Sequence, residues 1–186
     1  MEERSEVMHQ YEKINGLYQL LSGNRKNSRM DIETYVQRHY LEQILEAANQ
    51  RFQDMSAGQF ELRMCDIDKA GTGKNRGLDL MVYSAVTGKV REVRTLSGGE
   101  SFMAALSLAL GMADQIQESS AAINLDMMFI DEGFGSLDEH SRDQAVKVLQ
   151  NMAEGEKLIG IISHVTELKQ EIEDQLIVTK DDQGSH

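Results

Sequence analysis

The chain has 186 residues, 40% apolar, with no Trp and no Pro, which suits one domain with an aliphatic, Met-containing core and few rigid turns. Its single cysteine, Cys65, excludes an intramolecular disulfide and a Cys-based zinc site; with residues 1–20 too polar for a signal peptide and no run of about 18 apolar residues, a cytoplasmic, membrane-free protein is expected. The net charge of −12 sits wholly in residues 96–186, with 5 Lys/Arg against 17 Asp/Glu, whereas residues 1–95 balance at 14 of each, so a polyanion would meet the first half.

Val7, Tyr11, Ile14, Tyr18 and Leu21 follow a 4-3-4-3 spacing, the seam of a short coiled coil or of one amphipathic helix packed on its own domain. Ser22-Gly23-Asn24 breaks the pattern. A second helix is predicted from about Asp31 to Met55, ended by Ser56-Ala57-Gly58. Three strand-like runs come next, at Phe60–Met64, Leu78–Ser84 and Val90–Arg94, with a Gly-rich loop at 71–77. From Leu96 the pattern becomes α/β: a helix over 100–115, a buried strand over 127–131, a helix over 139–153, a buried strand over 157–163, a short helix over 165–172 and a strand over 175–179. Continuous apolar strands between helices predict a mostly parallel sheet covered on both faces. The tail 180–186 reads as disordered.

Met127-Met128-Phe129-Ile130-Asp131-Glu132 puts two carboxylates at the C-terminal end of an apolar strand, the edge where open α/β sheets bind ligands. One carboxylate there can serve Mg²⁺ while its neighbour orients a water; alone, the pattern also fits a strand end followed by an acidic turn. Leu96-Ser97-Gly98-Gly99-Glu100 precedes an apolar helix, where uncovered N–H groups, a hydroxyl and the helix start form a receptor for phosphate. The plainer alternative is a helix cap. Gly135-Ser136-Leu137-Asp138 lies three residues after the acidic pair, and His164 follows the second strand.

That order of motifs resembles the C-terminal half of ABC-type ATPases and, more narrowly, the SbcC family of DNA-break nuclease complexes. TLSGGES (95–101) with FMAALSLALGMAD (102–114) resembles its signature helix. IDEGFGSLDEHS (130–141) resembles its Walker B and D-loop, and EAANQRFQDMSAGQFELR (46–63) the segment leading from coiled coil to head. The resemblance implies an α/β fold, the C-terminal lobe of an ABC-type P-loop ATPase head with a mostly parallel sheet, preceded by a helical coiled-coil stub and a small antiparallel β segment. It divides the chain into the end of a coiled coil (1–30), a lead-in helix (31–59), the head lobe (60–179) and the tail (180–186). It also implies two heads closing around two ATP molecules. Leu96, Ser97, Gly98, Gly99 and Glu100 would form the signature gripping the opposite head's γ-phosphate. Asp131 would serve Mg²⁺, Glu132 would polarise the attacking water, and His164 would contact the γ-phosphate. Ser136, Leu137 and Asp138 would be the D-loop linking the two sites. The expected partners are the N-terminal half of the same polypeptide, a second head, an SbcD-type nuclease subunit and double-stranded DNA. An SMC-like chromosome-organising head is the alternative, sharing every catalytic residue.

A Walker A loop requires Gly-x-x-x-x-Gly-Lys followed by Ser or Thr. The only approach to it, Ala70-Gly71-Thr72-Gly73-Lys74-Asn75, has Asp68 at the first Gly position and Asn75 where the hydroxyl is needed, so 71–77 reads as a hairpin loop. The chain alone is therefore expected not to hydrolyse ATP, and the sheet to keep an uncovered edge or face. Residues 63–94 carry a local excess of three positive charges, and Lys74, Arg76 and Arg91 are the candidate DNA contacts.

Overall fold

Two helices, α1 (Glu2–Leu21) and α2 (Ile32–Met55), open the chain in a computed structural model that describes residues 2–22, 31–66, 77–119, 125–153, 157–178, 180–181 and 184–185. Val7, Tyr11, Ile14, Tyr18 and Leu21 of α1 are all exposed, so this seam is not buried against the rest of the described chain. Helix α2 begins at Asp31, whose carboxylate accepts the Thr34 N–H at 2.7 Å. That bond holds the Asp31 carboxyl below its ordinary pKa. The helix stops at Ala57 and Gly58, both with positive φ.

An antiparallel sheet comes next, in the order β1 (Phe60–Met64), β2 (Leu80–Ser84) and β3 (Lys89–Glu92). Its first strand would offer an open edge, but Asn49 of α2 covers it. The Asn49 amide accepts the Leu62 N–H at 2.7 Å and donates to the Leu62 carbonyl at 2.9 Å, as a neighbouring strand would. Asn49→Ala leaves both backbone groups unpaired and is expected to cost about 1–3 kcal/mol, read as a lowered urea midpoint; an unchanged midpoint would mean water replaces the amide freely.

The third strand is shorter than the expected Val90–Arg94, because Val93–Thr95 turns into a 3-10 helix that delivers the chain to Leu96. Helix α3 (Gly98–Ser119) then packs along α2. It starts two residues earlier and ends four later than the expected 100–115. Gly111 makes the α2–α3 approach possible: a Cβ there would lie 2.7 Å from the Ile44 carbonyl oxygen and 2.9 Å from the Ala48 nitrogen.

Strand β4 (Met127–Asp131), helix α4 (Glu139–Ala153), strand β5 (Leu158–Ile162) and the short helix α5 (Leu168–Glu171) complete the α/β part. The two strands are parallel, with Phe129 opposite Gly160 and Asp131 opposite Ile162. Ile130, Met128, Ile159 and Ile161 join a core with Phe52, Leu62, Val82, Leu106, Leu110, Phe134 and Leu149.

Two sequence expectations are corrected and a third is decided. Of the full cover and the uncovered face both expected above, the strands show the uncovered face: Met127, Phe129, Leu158 and Ile162 are more than half exposed, because the described helices pack on only one side. Residues 175–178 form no strand; Leu176, Ile177 and Val178 stand exposed and pair with neither outer edge of the two-stranded β4–β5 sheet, strand composition alone not being enough to dock a segment there. The tail, expected to be disordered, carries a small hairpin, β6 (Lys180–Asp181) with β7 (Gly184–Ser185). The Gly-rich loop at 71–77 lies outside the described residues except for Gly77, and Lys74 and Arg76 with it.

Candidate nucleotide site

The parallel strands end together, and a backbone bond fixes the turn beyond them. The Glu132 N–H donates to the Ile162 carbonyl at 2.9 Å, carrying the β4–β5 ladder one residue past β4. Glu132 itself has φ 61° and Gly133 φ 97°, so the chain leaves the sheet through two left-handed residues, the first of them one that avoids this region. That turn sends the Glu132 side chain to His164, whose Nδ1 donates to the carboxylate at 3.0–3.2 Å. Both are open to solvent. Asp131, at the end of the open sheet face, is exposed beside them. The structure thus brings together the acidic pair and the strand-end histidine.

A second group forms at the start of α3. Ser97 is its N-cap, and its hydroxyl oxygen accepts the Glu100 N–H at 3.3 Å while the Glu100 carboxylate accepts the Ser97 N–H at 2.8 Å. This reciprocal capping box was legible in Ser-x-x-Glu, and it leaves the Ser97 hydroxyl proton free to donate. The N–H groups of Gly98 and Gly99, in the first turn, have no acceptor within the helix. Gly99 is needed for space: a Cβ there would meet the Ser136 carbonyl at 2.8 Å. Ser97, Gly99 and Glu100 therefore share a cleft of about 230 Å³ with Ser136, Leu137 and Asp138. Leu96 is half-buried behind them, packed against the core.

Asp138 caps α4. Its carboxylate accepts the Ser141 N–H at 2.9 Å and the Ser141 hydroxyl at 3.0 Å, and these bonds hold its pKa below the ordinary value. A depressed folded-state pKa contributes stability in full above the ordinary aspartate value of about 4, lost as pH falls through the lower folded value. Asp138→Ala is expected to be less stable than the parent chain at pH 7, with the gap closing below pH about 4. Urea midpoints at stepped pH would measure it; a constant gap would show that the charge is irrelevant.

Two contacts were missed from sequence. Phe102 of α3 lies against Gly133, its ring occupying the space where a Cβ would stand, and packs edge-on to Phe134 at 5.0 Å between ring centroids. The two groups of residues are thereby joined within one chain. Arg91, one of the expected DNA contacts, is bonded to the segment that enters α3. It donates to the Thr95 carbonyl at 2.6 Å and to Glu100 at 3.3 Å, with its guanidinium 5.7 Å from the Phe60 ring centroid.

The donor set accords with a nucleotide-held cation and not with a protein cage. Among the described residues no cluster of three or more His, Cys, Asp or Glu could hold a metal, whereas Mg²⁺ bound with phosphates needs only one or two carboxylates and waters. Asp131 provides one. The unpaired N–H groups and free hydroxyl at the start of a 22-residue helix suit a phosphate.

The fold is similar to that of solved SMC ATPase heads. It matches a structure from work on ATP-driven dimerization and DNA-stimulated activation of SMC ATPases with TM-score 0.63 at 15% identity, over 82% of this chain and 86% of that one. An Smc head bound to the C-terminal winged-helix domain of ScpA matches with TM-score 0.58 at 19% identity, over 77% and 41%. Within that class the sequence is more specific. Residues 78–151 match the SbcC/RAD50-like Walker B motif family. The SbcC subunit of nuclease SbcCD from Treponema pallidum is 44% identical over all of this chain and 17% of its own length, and that from Vibrio cholerae 44% identical over 95% and 17%. The chain belongs to the SbcC/RAD50-like family, and it spans about 17% of the length of these relatives.

Proposed function

We propose that this chain supplies the signature-bearing half of an SbcC-type ATPase head, whose ATP-driven pairing with a second head gates an SbcD-type nuclease on double-stranded DNA ends. The observation that carries this reading is the Glu132–His164 pair beside Asp131 at the shared C-terminal end of β4 and β5, the ligand edge of a parallel sheet. Bound Mg²⁺ and ATP supply the phosphoryl group passed to water and the cation that offsets its charge.

The chain's own residues do the rest by positioning. The Ser97 hydroxyl and the Gly98 and Gly99 N–H groups grip the γ-phosphate of a nucleotide seated on the opposite head. Asp131 holds the cation through water, Glu132 orients the attacking water, and His164 contacts the γ-phosphate. Asp138 and its loop link the two sites. The phosphate-binding loop comes from the N-terminal half of the same polypeptide, since Gly-x-x-x-x-Gly-Lys-Ser/Thr occurs nowhere in this sequence. That half also covers the apolar face of Met127, Phe129, Leu158 and Ile162. Lys74 and Arg76 contact DNA, and the assembly works in the cytoplasm. Among the described residues no helix is long and apolar enough to cross a membrane.

Assayed alone, the chain should give no Mg-ATPase above background, and it should gain activity when mixed with the N-terminal half. Robust hydrolysis by the chain alone would overturn the reading and assign a phosphate loop to residues 71–75. A chromosome-organising role is the second reading, favoured by the likeness to SMC heads. Co-purification of the partner nuclease with the assembled head distinguishes the two.

A further inference from the structure

We infer that Arg91 is a positioning residue for the signature loop, holding and neutralising Glu100 so that the loop can receive a triphosphate; this deepens the function proposed above and rests on it. The inference starts from a conflict of charge. Glu100 is needed as the capping-box partner of Ser97, accepting its N–H at 2.8 Å. The same carboxylate sits three residues from the hydroxyl that grips phosphate and lines the same cleft. An unpaired negative charge there opposes the ligand.

Arg91 resolves the conflict by strand parity. It lies opposite Val82, itself opposite Leu62, so its side chain falls on the core-facing side of the small sheet, while Val90 and Glu92 face solvent. From there one guanidinium nitrogen bonds the Thr95 carbonyl at 2.6 Å and the other reaches Glu100 at 3.3 Å. The Phe60 ring, 5.7 Å away, lies alongside the guanidinium. The result is a relay from β3 to Glu100 to the Ser97 N–H, fixing the approach to α3 at both Thr95 and Glu100. The fork geometry of Arg is needed for the two bonds; a lysine could supply the charge only.

The test uses the full-length two-headed protein, following ATPase rate and nucleotide-dependent head association against ATP concentration. Arg91→Ala should raise KM for ATP and the ATP concentration for half-maximal association about tenfold, the scale of one bare charge acting on a doubly charged phosphate. The turnover number should change less than about threefold. Arg91→Lys should recover part of the loss. Glu100→Gln keeps the cap, since Gln also completes a capping box, and should restore KM in the Arg91→Ala background. A purely structural role for Arg91 would show no such rescue. If the double variant is as impaired as Arg91→Ala, the inference is overturned. It is equally overturned if Arg91→Ala leaves the ATP response intact but weakens DNA binding and flattens its salt dependence, which would make Arg91 a DNA contact. Ser97→Ala separates the two levels: if it leaves association unaffected, the signature reading itself fails. If it impairs association while Arg91→Ala does not, only the role of Arg91 fails.

Discussion

Glu132→Gln in the assembled two-headed protein is expected to reduce ATP turnover by about 10²–10⁴-fold, the range associated with a positioned general base, while nucleotide-dependent dimers persist. The substitution is conservative in shape. The amide oxygen it introduces can still accept from His164, which lies 3.0–3.2 Å from the present carboxylate, and the backbone bond to Ile162 is untouched. Only the negative charge proposed to polarise a water is lost. Signature residues and sheet remain in place, so nucleotide capture and head pairing should continue. Phosphate release and sedimentation with and without ATP give the two readouts. A turnover loss below tenfold would remove Glu132 from the role, and loss of the dimers would show that it acts in assembly.

Gly133→Ala is expected to be the most destabilising single-methyl change in the site. Gly133 sits at φ 97° and ψ −33°, where an L side chain costs about 1–3 kcal/mol in backbone strain. The new methyl also overlaps the Phe102 ring, and displacing a packed ring adds about 1–3 kcal/mol. A total of about 2–6 kcal/mol should appear in the urea midpoint. Adding Phe102→Ala should relieve the steric part and leave the backbone part, so a double-mutant cycle separates them. Strict additivity of the two changes would show that Phe102 moves aside without cost.

The sequence pattern predicted the α/β grammar because its signals were local. Met127–Asp131 and Glu139–Ala153 have the boundaries their apolar runs and flanking residues suggest. The site order was legible for the same reason, since strand ends and helix starts place Asp131, Glu132, Ser97 and His164 without knowledge of packing. The features that escaped were pairwise. An apolar run such as Met127–Ile130 does not itself say whether its outer face is covered; the exposed face of Met127 and Phe129 follows from the missing phosphate loop and not from the run. Gln175–Val178 has strand composition but joins no edge of the β4–β5 sheet, because composition reports how well a segment suits a pleated surface and not whether it docks on one. Composition places Arg91 in a basic patch but cannot show that Thr95 and Glu100 lie within its reach. The alternation on β3 misleads as well, with the charged residue inward and Val90 outward. Phe102 against Gly133 is a meeting of residues 31 positions apart that neither period reveals.

Gly111 has a mechanical consequence. Packed helices normally slide because a cushion of side chains lies between them, and small shear motions are taken up by rotamer changes. At Gly111 that cushion is missing: main chain lies against the main chain of Ile44 and Ala48. The two helices are therefore clamped near the middle of α2, which is roughly 36 Å long. A tilt imposed on α3 near Ser97 must carry α2 with it, so a displacement at one end of this pair is delivered to Ile32 at the other as lever motion instead of being absorbed along the way.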